Sequence, residues 1–529
     1  MKHEQHEVGA ARVERSLATL VLPVPLVPPV LRPVQFATFA LLAVASCATP
    51  ASRSAPPLAT TTSPSFDHVQ RDLFAAPGAQ PTAWADYDSD GDLDLFVGFR
   101  GRPNRLYRND AGTFTNVAVA AGVSDSVETR AAAWGDYDAD GRVDLYVGFT
   151  PAAPIPNKLY HNEGGGRFRD VAASVGVADK GTTRQPSFID FDNDGDLDLF
   201  VAFRDRPNAL YRQDAGRFTD VAPSLGIADP RKTVGVAWFD WEQDGDLDAF
   251  VANQDGDANG FFVQANGRFT DMADALGISA TGRGATEGSV GTAVTDYDND
   301  GDLDLYVANY GPDWLLRNDG ARWTNVAASV GLALDDHSVS ATWGDVDHDG
   351  HPDLYVVNFL GTERDTRDHL FVQRDGRFVD AIPPAMVQDG GSHGLNAVDF
   401  DRDGDLDLLI ANNHATGTHY LFRNTMSAAL ARQSLAVTVV DANGRATRAG
   451  SEVRVYRAGS RTLLGARLVD TGGGYDSQGV TPVHVATSGE ERVDVEVTYL
   501  SVAGRRVTRV PGVRVVAYAG RSLVVRAER

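Results

Sequence analysis

Seven times between residues 86 and 407 the chain places acids at positions 1, 3, 5 and 9 of a nine-residue run with glycine at position 6. The sets are Asp86, Asp88, Asp90 and Asp94; Asp136, Asp138, Asp140 and Asp144; Asp190, Asp192, Asp194 and Asp198; and Asp240, Glu242, Asp244 and Asp248. They continue with Asp296, Asp298, Asp300 and Asp304; Asp345, Asp347, Asp349 and Asp353; and Asp399, Asp401, Asp403 and Asp407. Ca²⁺ takes roughly six to eight oxygens at about 2.3–2.6 Å. A tight loop with three carboxylates turned inward, completed by the position-7 carbonyl and the position-9 Asp, supplies such a set. Without an ion, two carboxylates about 5 Å apart repel by roughly 3 kcal/mol at an effective dielectric near 20. Up to seven Ca²⁺ are expected, and seven divalent ions would take the net charge from −24 to −10. The fourth loop is the expected weak one, because Glu242 adds a methylene to a tight turn. The sixth has His351 and Pro352 at positions 7 and 8, where only a backbone carbonyl is needed, and is expected to survive.

The flanks exclude other Asp loops. An EF-hand needs a bidentate Glu at position 12 and two helices; here position 12 is Val97, Val147, Val201, Val251, Val307, Val356 or Ile410. Each run is preceded by a short apolar stretch such as Ala131–Trp134. It is followed by an L-x-L-aromatic-V type segment, a loop, a segment like Leu106–Asn109, a Gly turn and F-x-D-V. That makes four short strands per repeat, and the repeats start 50, 54, 50, 56, 49 and 54 residues apart. A period near 50 with four strands per unit predicts a β-propeller. F-x-D-V variants begin at Phe66, Phe114, Phe168, Phe218, Phe269, Trp323 and Phe378, so the first copy precedes the first Asp run. The Phe66 strand is therefore expected to close the ring on the seventh blade, leaving no open edge. Trp84, Trp134, Trp238 and Trp343 sit two residues before their runs and are expected to pack blade against blade.

Composition agrees. There are 59 Asp but 13 Glu, beside 53 Gly, the signature of turns rather than helices. A net charge of −24 argues against nucleic-acid binding. The single cysteine, Cys47, excludes intramolecular disulfides and Cys-based metal sites. It follows the apolar run Phe36–Ser46 behind Arg32, and Val44–Cys47 resembles a bacterial lipobox. Residues 1–46 read as a lipoprotein signal peptide with lipidation at Cys47. Residues 47–65 read as a Pro/Ser/Thr tether, and the protein as exported and lipid-anchored in a bacterial cell envelope, at the outer membrane or cell surface.

After Asn424 the Asp runs stop and period-2 strands take over, as in Leu435–Val440, Glu452–Tyr456 and Val493–Val497. The expected architecture is all-β: a seven-bladed propeller over 66–424 and a small β-sandwich over 430–529. The Asp runs resemble FG-GAP/VCBS repeats, the calcium-bearing blades also seen in integrin α heads. Arg448–Arg457, Val469–Gln478 and Pro482–Val485 look like an ASPIC/UnbV domain, and the combined layout resembles the bacterial cartilage acidic protein-like (ASPIC/UnbV) family. Thr498–Gly504 departs from that family's arginine-tryptophan-proline-glycine-like turn, and the animal members' EGF-like module cannot form with one cysteine.

Catalytic signals are weak. Gly390–Gly394 matches G-x-S-x-G, but it leads into a strand where a nucleophile elbow needs a helix. The twelve His show no metal-ligand spacing. Opposite the Asp loops, blades one to three carry Phe99, Phe149 and Phe203 with Arg100, Arg102, Arg204 and Arg206. Blades four to seven carry Asn253, Asn309, Asn358 and Asn412, with Tyr310 and Trp314. Arg130 and Arg184 hold equivalent positions at the starts of neighbouring inner strands and are the candidate ligand-binding pair for an acidic partner; Glu128 and Asp179 are the nearby acids that could pair with them instead. The expected function is non-enzymatic binding of an extracellular protein or glycan. An enzyme at the channel or upper rim, acting on a polysaccharide or secondary metabolite, is the alternative.

Overall fold

The computed structural model describes residues 64–150, 155–320, 322–359, 367–387, 391–414 and 417–527. The expected signal peptide, Cys47 and nearly all of the expected tether lie outside the described residues. The protein is all-β. In blade one, Ala79–Ala85, Asp94–Phe99, Arg105–Asp110 and Thr113–Asn116 form an antiparallel sheet running from the ring centre outward. Six further four-stranded units follow among the described residues, and Tyr310–Pro312 of the fifth also pairs with Asp335–His337 of the sixth. The last unit, Ser392–Val398, Asp407–Asn412 and Tyr420–Asn424, takes Phe66–His68 as its outer strand, with Phe66 opposite Asn424. Each inner strand lies against the next, and Ser392–Val398 returns to Ala79–Ala85, so the units close on themselves.

The core is divided between blades. Trp84, Leu95, Tyr107 and Phe114 of blade one pack with Phe400, Leu409 and Leu421 of blade seven. Trp84, Trp134 and Trp238 are buried, and the Trp134 and Trp343 indoles donate to the backbone carbonyls of Ala83 and Ala293 in the preceding blades. One feature was not expected from sequence. Five single-turn helices, Ala118–Ala121, Ala172–Val175, Ala222–Leu225, Ala273–Leu276 and Ala327–Val330, follow the outer strands. The Asp or Asn of F-x-D-V starts each one by accepting from the N–H two residues on, at 3.0–3.2 Å.

Residues beyond 430 form two packed sheets. Ser434–Val440 lies between Val483–Ala486 and Leu523–Arg526, and the order of the other sheet is Leu463–Leu468, Glu452–Arg457, Arg492–Tyr499, Arg506–Arg514. Val437, Val453, Val485 and Val495 fill the space between them. This sandwich sits over the Asp-loop face of the ring and sends the segment Asp470–Thr481 into the channel. Ser477–Gln478 pairs in parallel with inner-strand residues Ala132–Ala133, and Val480 N–H donates to Trp84 O at 2.8 Å. Glycines make the passage possible. Gly474 has φ +70°, and a Cβ there would lie 2.6 Å from Leu395 O.

Candidate functional site

The seven acidic runs fold into one repeated loop. The position-1 carboxylate accepts from the position-6 glycine N–H at 2.9–3.1 Å in every loop. The position-5 carboxylate accepts from the position-7 N–H at 2.9–3.1 Å. Position 4 is left-handed throughout, with φ of 57–63°, even where it is Ala139 or Arg402. The position-9 Asp opens the second strand at no more than 1 % exposure and accepts from a third-strand N–H at 2.7–2.9 Å.

Neighbouring blades hold this turn in shape. The position-2 side chain packs on the aromatic of the next outer strand, as with Tyr87 on Phe168, Tyr137 on Phe218 and Trp241 on Trp323. Third-strand amides reach back to the preceding loop: Asn162 donates to Tyr87 O, Gln213 to Tyr137 O and Asn109 to Phe400 O. The carboxylates are thus set by packing and backbone contacts, independently of any ligand.

Their charge is poorly compensated. Ligand oxygens of Asp86, Asp88 and Asp94 lie within 4.8 Å of one another, as do those of Asp190, Asp192 and Asp194 and of Asp296, Asp298 and Asp300. Burial pushes Asp94 up to about 8 and Asp304 up to about 9. Burial also drives Asp198, Asp353 and Asp407 well above the usual carboxylate range, with neighbouring acids adding to it. Buried Oδ1 atoms of Asp136, Asp190, Asp192, Asp347, Asp399 and Asp401 have no hydrogen-bond partner. Converging, desolvated, partnerless carboxylate oxygens are the donor set of a hard divalent cation.

The loops are not equivalent. In the fourth, Arg505 of the sandwich reaches Asp240 at 2.6 Å and Glu452 at 3.0 Å. The loop with the sequence departure at Glu242 is thus also one whose position-1 carboxylate is paired with an arginine of the sandwich. In the third, Arg448 lies 3.6 Å from Asp190. In the sixth, Arg374 contacts Asp347 and Asp349; in the seventh, Arg423 lies 2.6 Å from Asp401. The second loop has Arg142 on Asp140, and His161 Nδ1 is 3.2 Å from both Asp138 Oδ2 and Asp144 Oδ1. Sequence spacing missed His161. It lies on the third strand, and only strand pairing brings it over the loop.

The inserted segment occupies the rim end of the channel, while a cavity of about 650 Å³ remains between inner-strand residues such as Ala293, Ala341 and Leu395, the segment and the sandwich. Arg130 and Arg184 start neighbouring inner strands as expected, but the inserted segment faces them. Arg184 is 4 % exposed, with its Nε 3.9 Å from Asp476 Oδ2. Arg130 binds Glu128 at 2.8 Å and donates to the Tyr475 hydroxyl at 3.2 Å. Tyr475 packs among Val234, Val290 and Val339 and edge-on to His393. The expected partner Asp179 is taken by Arg206. An open rim pair awaiting an outside acid is thus corrected to a buried pair meeting an internal one, because the sandwich's Gly-rich segment is narrow enough to thread the ring.

Other rim residues hold loops. Phe99, Phe149 and Phe203 are buried. Asn253, Asn309 and Asn358 donate to backbone carbonyls of Ala258, Pro312 and Arg367. Arg100 and Arg102 remain exposed. In the G-x-S-x-G segment, Ser392 Oγ donates to Asp368 at 2.8 Å, while His393 places Nδ1 at Gly391 O and Nε2 at the Asn413 amide. Ser392 begins a strand with no helix after it, and the Ser392 hydroxyl and the His393 ring are held by separate partners.

Residues 86–147, 154–201, 190–251, 240–307, 296–356 and 358–410 match the FG-GAP-like repeat, together more than half of the chain. No curated protein matches the chain. Among solved structures it is similar to BBS1N in complex with ARL6DN, with TM-score 0.43 and 12 % identity over 69 % of this chain and 99 % of that one. It is similar to an Agrocybe aegerita lectin described as recognising non-reducing terminal N-acetylglucosamine, with TM-score 0.37 and 14 % identity over 69 % of this chain and 94 % of the lectin. The SapL1 lectin in complex with alpha methyl fucoside has TM-score 0.36 and 13 % identity over 59 % of this chain and 99 % of that one.

Proposed function

Since the chain belongs to the FG-GAP-like repeat family, we propose that it is a calcium-stabilised, non-enzymatic binding module for an extracellular protein or glycan. The observation that carries the calcium reading is the sevenfold loop with preformed carboxylates and partnerless buried oxygens. Positions 1, 3, 5 and 9 would hold Ca²⁺, with the position-7 carbonyl, and the ion would neutralise charge that the fold leaves exposed to itself. The C-terminal sandwich is proposed as an ASPIC/UnbV-type domain. Cys47 is proposed as the lipid anchor that keeps the module at the cell envelope.

Binding is favoured over catalysis because the rim mouth of the channel is occupied by Tyr475 and Asp476, and the cavity below them lies between ring and sandwich. Ser392 and His393 also point to separate partners. Arg130 and Arg184 serve the internal contact. An acidic outside partner would instead meet exposed Arg100 and Arg102.

A glycan and protein array probed with and without calcium tests the reading. Calcium-dependent capture that weakens in Arg100→Ala/Arg102→Ala is expected. Turnover of a polysaccharide without retention would overturn it. Cys47→Ser should release the protein from membranes; unchanged fractionation and mass would refute the anchor.

A further inference from the structure

Three features mark the second loop; the first it shares with the sixth, where Arg374 engages Asp349, and the other two are its own. First, Asp140 at position 5 is engaged by Arg142, whose Nε also donates to Asn162 O at 2.7 Å. Second, Asp144 Oδ2 has no hydrogen-bond partner although its side chain is 0 % exposed. In the other six loops this oxygen accepts the position-2 N–H. Third, the third strand presents an imidazole. Where blades one, three and five have Arg108, Arg212 and Arg317, each turned to its own outer acid, blade two has His161. Its Nδ1 is buried, has no hydrogen-bond partner, and stands 3.2 Å from one oxygen each of Asp138 and Asp144.

We propose that in the second loop Asp138, Asp144 and His161, with Asp136 beside them, form a site for a first-row divalent transition ion such as Zn²⁺, Co²⁺ or Mn²⁺ in place of calcium. Losing Asp140 to Arg142 removes a hard oxygen, and His161 adds a nitrogen. Imidazole with carboxylate suits this class of ion, whereas calcium takes oxygen almost alone. The spacing also fits. Ligands about 2.1 Å from a metal stand about 3.0 Å apart across an octahedral edge and about 3.4 Å across a tetrahedral one, and the observed 3.2 Å lies between.

The inference rests on reading the loops as metal sites, so the test separates the two. Full-length protein in millimolar Ca²⁺ is titrated with Co²⁺ and followed by visible absorption and by calorimetry. One equivalent binding over the calcium background, with d–d bands, is expected. His161→Gln should erase the bands and weaken Co²⁺ at least about tenfold, while leaving calcium content and melting unchanged. Bands that persist in His161→Gln, or no Co²⁺ bound above background, overturn the site. Co²⁺ uptake in a protein that takes no calcium supports this site and sinks the calcium reading instead.

Discussion

Arg184 and Asp476 face each other at 3.9 Å across the boundary between ring and sandwich, their side chains 5 % and 1 % exposed. Burial pushes both toward neutrality: Asp476 rises to about 7 despite Arg184 and Arg130, and Arg184 is lowered. The pair therefore contributes position more than strength. It fixes how deep the segment Asp470–Thr481 sits in the channel.

Removing one partner should be costly. Arg184→Ala leaves the Asp476 carboxylate buried with only Arg130 as a nearby cation, and a loss of about 3 kcal/mol in denaturant unfolding is expected. Arg184→Met with Asp476→Asn should recover most of it. Single variants as stable as wild type would mean that the inserted segment is anchored elsewhere.

Chelation should lower the melting temperature of the whole protein. Each filled loop adds about 1.4 kcal/mol at ten times its Kd. An unchanged melt, with no calcium by elemental analysis, is the outcome that sinks the reading. The fourth loop should fill last, because Arg505 already neutralises Asp240. Arg505→Gln should raise calcium affinity there and loosen the sandwich.

Metal-free protein should lose stability as pH rises. Asp94 at about 8 and Asp144, Asp248 and Asp304 at about 9 bind protons more tightly folded than unfolded. Their contribution is complete below about pH 4 and is lost on the way to pH 9. His393, His419 and His484, lowered to about 3 by burial, act oppositely: their contribution is present above about pH 6.5 and lost below it. Denaturant midpoints in chelator should therefore peak between about pH 4 and 6.5. In calcium the alkaline loss should vanish, and calcium added at pH 7 should release protons into a weakly buffered solution.

Salt should loosen the sandwich. Residues 430–529 carry 15 arginines against nine acids, in a chain of net charge −24. Arg505 and Arg448 reach Asp240 and Asp190, while Arg454 and Arg445 donate to the loop carbonyls of Gly301 and Ala139. Limited proteolysis between residues 424 and 434 should speed up at high ionic strength. No change with salt would assign the docking to the apolar contacts alone.

Much of this was legible in the residues. The Asp runs recur at a period that only a strand-built unit fits, and the early Phe66 copy gives away ring closure. Loop geometry was legible too, since Gly at position 6 and Asp at 1 and 5 dictate the turn. The one-turn helices escaped because four residues carry too little periodicity, though F-x-D-V-A-x-x-x-G was there to be read. His161 and the Arg184–Asp476 contact escaped for another reason. Each joins residues of different strands or domains, and no local pattern encodes which segment will thread a channel. Gly472-Gly473-Gly474 was the available sign, a run with no side chains at the start of the segment that enters the channel.

The pairing of Phe66 with Asn424 also sets an order of events during synthesis. The outer strand of the last blade is made first, and it has no neighbour until some 350 residues later, a separation that puts ring closure among slow, non-local pairings. Until then the two end blades of the arc each have one unfinished side, and the sandwich whose segment enters the channel is made later still. A ribosome stalled before residue 420 would release an open arc with two bare sheet edges, a species prone to stick to its own kind.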